Sequence, residues 1–276
     1  MSDLSLDPPP PHAARAPASE RLLNAYVVAV LLFLALPIFI VVPLAFSDDV
    51  SLSFPPQGFS LRWFANIWAR PEFARAFALS AAIALVATAL SLVAGTLAAV
   101  GLVRHQFPGR DSLVTFFMTP LIFPAIVLGA AVALMLAPMG LLRSFWGLAL
   151  AHTVLTFPYV LRTAVATLSE IDRALGEAAY TLGANRWKTF RHVTLPLMRP
   201  GLLAGATFAL IVSFDEFTVS MFLVGPGMMT LPLEMYNYAE FSLDPTIAAI
   251  STILLIITSV AILVIEKLVG LGKQFS

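Results

Sequence analysis

The sequence predicts an all-α, polytopic membrane protein with six transmembrane helices, and three observations lead to that fold class. Of its 276 residues, 59% are hydrophobic and only 12% are charged, about half the charged fraction of a typical soluble domain. Six stretches are long and apolar enough to cross a bilayer, which takes about 20 residues. The basic residues also concentrate in alternate loops, as they do in membrane proteins. A soluble helical protein would not combine these three features.

The chain divides into a polar N-terminal region and one transmembrane domain. Residues 1–20 contain four consecutive prolines at 8–11 and no apolar periodicity, which predicts a disordered cytoplasmic tail. Residues 21–276 are predicted to form a single transmembrane domain. Its six spans are predicted at residues 26–46, 76–103, 113–137, 146–168, 201–224 and 246–268.

The distribution of Lys and Arg orients these spans. If both termini are cytoplasmic, the outer loops hold only Arg62, Arg70, Arg75 and Arg143 of the 16 basic residues. Cytoplasmic loops of membrane proteins carry an excess of Lys and Arg. The sequence therefore predicts six crossings with the N-terminus and the C-terminus both inside the cell.

The composition excludes several classes of function. The formal net charge is zero, which argues against binding nucleic acid because that requires a basic face. The absence of cysteine excludes disulfides and thiolate metal sites, and the four histidines lack metal-ligand spacing. No metal site is predicted. An intramembrane enzyme would have only Asp215, Glu216 and His152 to work with, so no catalytic residues are predicted, and His152 is interpreted as a hydrogen-bonded packing residue.

The longest polar segment on the predicted cytoplasmic side, residues 169–200, contains the signals of two short helices. Ser169 or Asp172 can cap the start of the first helix by accepting backbone N–H bonds. Gly183 is placed where a residue of left-handed conformation would end that helix. A second short helix is predicted over residues 185–192.

The end of this loop is predicted from its prolines. Pro196 is expected to interrupt the second helix, and Pro200 to lie in the first turn of the fifth span, where its missing N–H is tolerated. The second helix is basic, with Arg186, Lys188 and Arg191. Two interpretations remain open from the residues alone: a helix pair that docks onto a cytoplasmic partner, or an amphipathic loop that rests on anionic lipid headgroups.

A sequence motif in this loop favours the docking interpretation. The loop contains Glu177-Ala178-Ala179, then three residues, then Gly183, then nine residues, then Val193-Thr194-Leu195-Pro196. This pattern resembles the EAA motif, the signature of permease subunits in binding-protein-dependent ABC importers. The resemblance implies a type I ABC importer permease fold in the bacterial inner membrane. It also implies that the loop fits a groove on an ATPase subunit through Glu177, Ala178, Ala179, Gly183, Leu195 and Pro196.

The same resemblance implies a set of partners. These are a dimer of ATP-binding subunits, a second permease subunit that forms a heterodimer with this one, a periplasmic substrate-binding protein, and membrane lipid. ATP and Mg²⁺ would be bound by the ATPase, so no cofactor is expected in this chain. In agreement, none of Lys188, Lys267 and Lys273 lies in a GxxxxGK phosphate-binding loop.

Beyond the loop, residues 214–217, 222–227, 230–233 and 244–254 most resemble spermidine/putrescine permease subunits. That resemblance implies that Asp215 and Glu216 lie along the substrate path in the second half of the fifth span, where a carboxylate would meet a cationic group. The structural alternative is that one carboxylate bonds the partner subunit or caps a helix break.

The sequence departs from the polyamine permeases at Leu121. Those permeases tend to carry an aspartate at this position, directly after a Ser/Thr-Pro step, here Thr119-Pro120. One anionic contact for a polycation is therefore missing. The expected substrates extend from polyamines to other amine-bearing solutes, such as amino-acid-like molecules and aminophosphonates.

A competing class is a self-sufficient secondary carrier or channel. Such a protein would need paired internal repeats or several buried charges. The sequence shows no clear inverted repeat and few charges within its spans.

Overall fold

The computed structural model describes residues 18–242 and 244–269, and these fold into a bundle of α-helices. In chain order the helices are α1 (Ala18–Ala45), α2 (Arg62–Ala69), α3 (Pro71–Arg104), α4 (Arg110–Met118), α5 (Ala125–Leu136), α6 (Phe145–Glu170), α7 (Arg173–Thr181), α8 (Arg186–Thr189), α9 (Leu195–Phe214), α10 (Thr218–Leu223), α11 (Leu231–Phe241) and α12 (Thr246–Val269). The described residues contain no strand, and an isolated bridge pairs Gly225 with Met228. The all-α fold class is confirmed.

The predicted N-terminal tail falls mostly outside the described residues. Residues 1–17 lie outside them, and residues 18–20 already belong to the first turn of α1. Among the described residues, five helices are long and apolar enough to cross a membrane, and the number is six if a bent pair of helices is counted as one span.

The bent pair lies where the third span was predicted, at residues 113–137. Its two halves, Arg110–Leu121 and Ala125–Met139, meet at an angle of 106°. Pro120 and Pro124 account for the break, because each lacks a backbone N–H and disfavours helical geometry in the preceding residue. The prediction of one continuous helix here was wrong.

The fifth span also differs from its predicted bounds of 201–224. The helical path begins at Arg186 in α8, passes through a π-helical segment at Phe190–Thr194, and continues as α9 to Phe214. Pro196 therefore lies in the first turn of α9 and does not interrupt the helix. The wider π turn ends at Thr194, two residues before Pro196, whose missing N–H removes one helical hydrogen bond. Pro200 lies inside α9 and not in its first turn.

Helices α3, α6 and α9 form the centre of the bundle. Gly201 and Gly205 of α9 lie against α6: a Cβ added at Gly201 would collide with Thr167, and one added at Gly205 would collide with Thr163 and approach Val160 Cα to 3.0 Å. Small residues allow helix backbones to approach closely in membranes. The two glycines thus set the close packing of α9 on α6.

His152 is a hydrogen-bonded packing residue, as predicted. It is buried in α6, with Nδ1 2.8 Å from Ser213 Oγ and Nε2 2.9 Å from Ser220 Oγ. These two bonds connect α6 to the end of α9 and to α10. Because both ring nitrogens are satisfied, the imidazole is suited to holding three helices together.

A polar network joins α2, α11 and α12 at the end of the bundle far from residues 169–200. Tyr238 Oη donates to Asp244 Oδ2 at 2.6 Å, and Asn66 Nδ2 donates to Thr246 Oγ1 at 2.8 Å. Partial burial raises the pKa of Asp244, but hydrogen bonds from Thr246 and Tyr238 and the charge of Arg70 outweigh it and leave that pKa below its usual value. The carboxylate therefore stays ionised and holds the start of α12.

We expect Gly205→Ala to lower the thermal midpoint of the purified protein in detergent. Overpacking of a tight contact destabilises by about 1–3 kcal/mol, and the new methyl group would meet α6. The measurement is thermal unfolding followed by tryptophan fluorescence.

The matched control is Gly101→Ala in α3, where an added Cβ meets nothing within 4 Å. Its midpoint should stay the same or rise slightly, because alanine favours helix over glycine. Equal behaviour of the two variants would contradict the assigned contact.

Candidate functional site

The first helix of the loop is anchored at both ends by local hydrogen bonds. Asp172 Oδ1 accepts from Ala174 N–H at 2.9 Å, so Asp172 is the cap of α7. Ser169, the other candidate, instead donates its hydroxyl to Val165 O within α6. At the far end Gly183 has φ +84°, the left-handed conformation that glycine adopts without strain. The predicted cap and the predicted turn residue are both confirmed.

The second helix starts where it was predicted but does not end there. Asn185 Oδ1 accepts from Lys188 N–H at 2.8 Å and caps α8. From that cap the chain remains helical through Phe190–Thr194 and α9. The loop therefore consists of α7, a glycine turn, and the end of a long membrane-spanning helix.

The residues assigned to coupling separate into two groups. Glu177, Ala178 and Gly183 are exposed and Ala179 is half-buried, all on α7 and its turn. Leu195 and Pro196 are half-buried in the first turn of α9. The structure thus places the first four of these residues on one helix–turn unit. Leu195 and Pro196 lie instead at the start of α9, the membrane-spanning helix that follows this unit.

Large apolar side chains protrude from this otherwise polar loop. Leu182 is 88% exposed and Trp187 is 63% exposed, one on each side of the Gly183 turn. Sequence reasoning assigned no role to Trp187. The sequence shows Trp187 as an aromatic residue within a short basic helix, a pattern that does not by itself indicate exposure. Exposed apolar clusters of this kind mark interaction sites.

Asp215 and Glu216 do not lie within a helix, contrary to the prediction. They occupy the break between α9 and α10. Glu216 Oε1 accepts from Val219 N–H at 2.7 Å, so this carboxylate caps α10. Asp215 is exposed, and its carboxylate forms no ion pair with any basic residue in the part of the chain that the structure describes. The two acids therefore have different environments.

Aromatic rings surround this break. Phe217 lies beside Tyr236 of α11 with ring centroids 5.2 Å apart, and Phe214 lies edge-on to Phe77 of α3 at 5.6 Å. An aromatic face attracts an ammonium or guanidinium group. The exposed Asp215 lies between Phe214 and Phe217 in the chain, so a carboxylate and aromatic rings occur at the same helix break, an arrangement suited to a cation.

The described residues contain no group of three or more His, Cys, Asp or Glu side chains that could hold a metal ion. The candidate site therefore consists of an exposed helix–turn unit with protruding apolar side chains at one end of a long helix, and of an exposed carboxylate at a helix break with aromatic residues at the other end.

Comparison with known proteins assigns the family. Residues 91–270 match the family of binding-protein-dependent transport system inner membrane components. The chain is 30% identical over 247 residues to the spermidine/putrescine transport system permease protein PotC of Haemophilus influenzae, with 89% of this chain and 95% of PotC covered. The chain belongs to this family. It is a permease subunit of an ABC importer.

Two further similarities agree with that assignment. The permease is 32% identical over 209 residues to the putrescine transport system permease protein PotI of Escherichia coli K12, covering 72% of this chain and 73% of PotI. Its fold matches a chain of a bacterial ABC transporter that imports the acidic polysaccharide alginate, with a TM-score of 0.73, 17% identity, and coverage of 94% and 99%. The predicted type I importer fold is confirmed, and the permease is a multi-pass protein of the bacterial inner membrane.

Gly183→Val is expected to loosen the turn of the permease loop. A β-branched residue in the left-handed region is strained by about 1–2 kcal/mol, although an added Cβ at Gly183 meets no neighbouring atom. Hydrogen–deuterium exchange of the Gly183 and Ala184 amides, which donate to Tyr180 O and Ala179 O, should accelerate.

Gly183→Asn is the control, because asparagine tolerates positive φ. Its exchange should stay close to that of the unmodified permease. If amide exchange accelerates equally in both variants, the left-handed backbone conformation is not the reason for glycine at this position.

Proposed function

We propose that residues 169–200 couple the permease to a separate ATPase subunit. The observation that carries this proposal is the exposed helix–turn unit, in which Leu182 and Trp187 protrude from the same loop as the exposed Glu177. Apolar side chains in a polar loop gain free energy when a partner covers them, at about 25 cal/mol per Å² of apolar surface. The matching EAA motif supports an ATPase as that partner, with Glu177 forming a charge pair and Gly183 providing the turn.

The path of the helix supports mechanical coupling. The span from Arg186 to Phe214 is continuous and 29 residues long, so it reaches about 43 Å at 1.5 Å per residue. One end carries the docking loop and the other ends at Asp215. Closure of an ATPase dimer on ATP would pull the loop and tilt this helix, which would move the break next to the proposed substrate path.

ATP and Mg²⁺ belong to the ATPase in this proposal. None of the three lysines of the chain lies in a phosphate-binding loop of the GxxxxGK type. The remaining partners are a second, related permease subunit and a periplasmic binding protein that delivers substrate to the outer mouth. The excess of basic residues near the loop end supports a topology with both termini inside the cell.

The proposed substrate is a polyamine or another small amine-bearing solute. Asp215 would meet its cationic group, since this residue is exposed and belongs to the helix break that also contains Phe217, whose ring lies against Tyr236. The relatives named for spermidine and putrescine transport support this class. Leu121, in the Thr119–Leu121 turn before the α4–α5 break, leaves one anionic contact fewer, so a solute with a single amine also fits.

Glu177→Lys should abolish binding-protein-dependent uptake while the permease stays in the membrane. The reversed charge would meet a like charge on the ATPase, and a buried unpaired charge destabilises by about 3–5 kcal/mol. The measurements are uptake in cells and recovery of the ATPase with the tagged permease.

Glu170→Lys is the matched control, because Glu170 is also exposed at the end of α6 but lies outside the motif. Normal uptake by both variants would remove Glu177 from the coupling site. Transport by the permease alone in liposomes would favour a self-sufficient carrier.

Asp215→Asn and Glu216→Gln should differ in their effects on uptake. Asp215→Asn removes the charge proposed to meet an amine, so KM should rise about tenfold for a loss near 1.4 kcal/mol. Glu216→Gln retains an oxygen acceptor for the Val219 N–H that caps α10, so uptake should change little. The reverse order of effects would assign the substrate contact to Glu216.

A further inference from the structure

A basic cleft lies between the loop and the inner end of α3. Its volume is about 760 Å³, and its lining includes Arg104 from α3, Arg173 from α7 and Arg186 from α8. Glu177 is the one acidic side chain in the lining. With three arginines against one carboxylate, the cleft carries net positive charge.

The arginines of this cleft have few partners within the described residues. None of the three forms an ion pair with a carboxylate there, Glu177 included. Arg173 donates to Val103 O at 3.1 Å. The guanidinium groups of Arg104 and Arg186 donate no hydrogen bond within the described residues. Three guanidinium groups around one cleft repel each other, so an anion between them would relieve that repulsion.

The position of the cleft indicates the source of such an anion. Helix α3 contains 34 residues and is about 51 Å long, whereas a bilayer with its headgroups is about 40–45 Å thick. Helix α3 is therefore long enough to place Arg104 at the inner headgroup layer. Val100 and Phe190 also line the cleft and add apolar surface to its wall. Basic pockets at the cytoplasmic ends of membrane helices bind anionic lipid headgroups.

We propose that this cleft binds the phosphate group of an anionic phospholipid, held between Arg104 and Arg186, and that the bound lipid joins the coupling loop to α3. The inference rests on the proposed orientation of the permease, with the loop inside the cell. It is independent of which ATPase or substrate the permease serves. Lipid bound here would hold α7 and α8 against α3 and so set the position from which the loop couples.

The test is native mass spectrometry of the full-length permease with its co-purifying subunits, after reconstitution in bilayers that mix phosphatidylcholine with phosphatidylglycerol. The unmodified protein should retain phosphatidylglycerol preferentially. Arg104→Gln and Arg186→Gln should each reduce that retention about fivefold, the ratio that corresponds to ~1 kcal/mol per basic residue. Neither side chain supports the fold through a hydrogen bond within the described residues, so both variants should fold.

Arg191→Gln is the matched control, because Arg191 is exposed on the same loop and does not line the cleft. It should retain phosphatidylglycerol as the unmodified protein does. Equal retention by all four proteins would overturn the proposal.

Two further outcomes would also overturn it. The first concerns soluble glycerophosphoglycerol added to the permease in pure phosphatidylcholine bilayers. Its retention in place of phosphatidylglycerol would assign the cleft to a free phosphate compound. Loss of the ATPase from the Arg104 and Arg186 variants with lipid retention unchanged would assign it to a protein contact. Lipid retention is measured without transport. A failure of the uptake prediction for Glu177→Lys would therefore not change the interpretation of the lipid measurement.

Discussion

The close packing of α9 on α6 is the constraint on which the rest of the structure depends. At Gly201 and Gly205 the two backbones approach so closely that a single methyl group would collide with α6. This contact fixes a helix that runs without interruption from Arg186 to Phe214. Because a helix is stiff along its axis, a force applied at the loop end reaches the Asp215 end.

The end of that helix gives different environments to two adjacent acids. The Glu216 carboxylate accepts the Val219 N–H and so caps α10. His152 forms hydrogen bonds with Ser213 and Ser220, which lie on either side of the break. Asp215 is left exposed at the same point. A helix end stabilised in this way can present a carboxylate at membrane depth, where such a charge is costly unless it faces a cavity or a partner.

The sequence predicted the fold class and the loop well, because both depend on local chemistry. Apolar length is enough to identify the spans, and Asp172 and Gly183 have side-chain and backbone preferences that act within a few residues. The sequence failed at prolines. Pro120 and Pro124 produced a break of 106° where a kinked but continuous span was expected. Pro196 was accommodated by a π segment where an end was expected. Whether a helix bends, breaks or continues at a proline depends on the helices packed against it. Residues close in sequence do not contain that information.

The basic cleft and the exposed position of Trp187 could not be predicted for a related reason. Arg104, Arg173 and Arg186 come from three separate helices, and only the packing of α7 and α8 against the end of α3 brings them together. The exposure of Trp187 likewise depends on which face of α8 is turned toward the bundle. Periodicity cannot decide this for a helix of four residues.

The most direct test of the coupling account is site-specific cross-linking in a chain that contains no natural cysteine. A photoreactive label on Leu182→Cys, at a position 88% exposed beside the loop turn, should yield an adduct with the ATPase subunit. The same label on Trp68→Cys, at a position 81% exposed in α2 at the opposite end, should yield none. Absence of an ATPase adduct at Leu182, or equal adducts at both positions, would contradict the account.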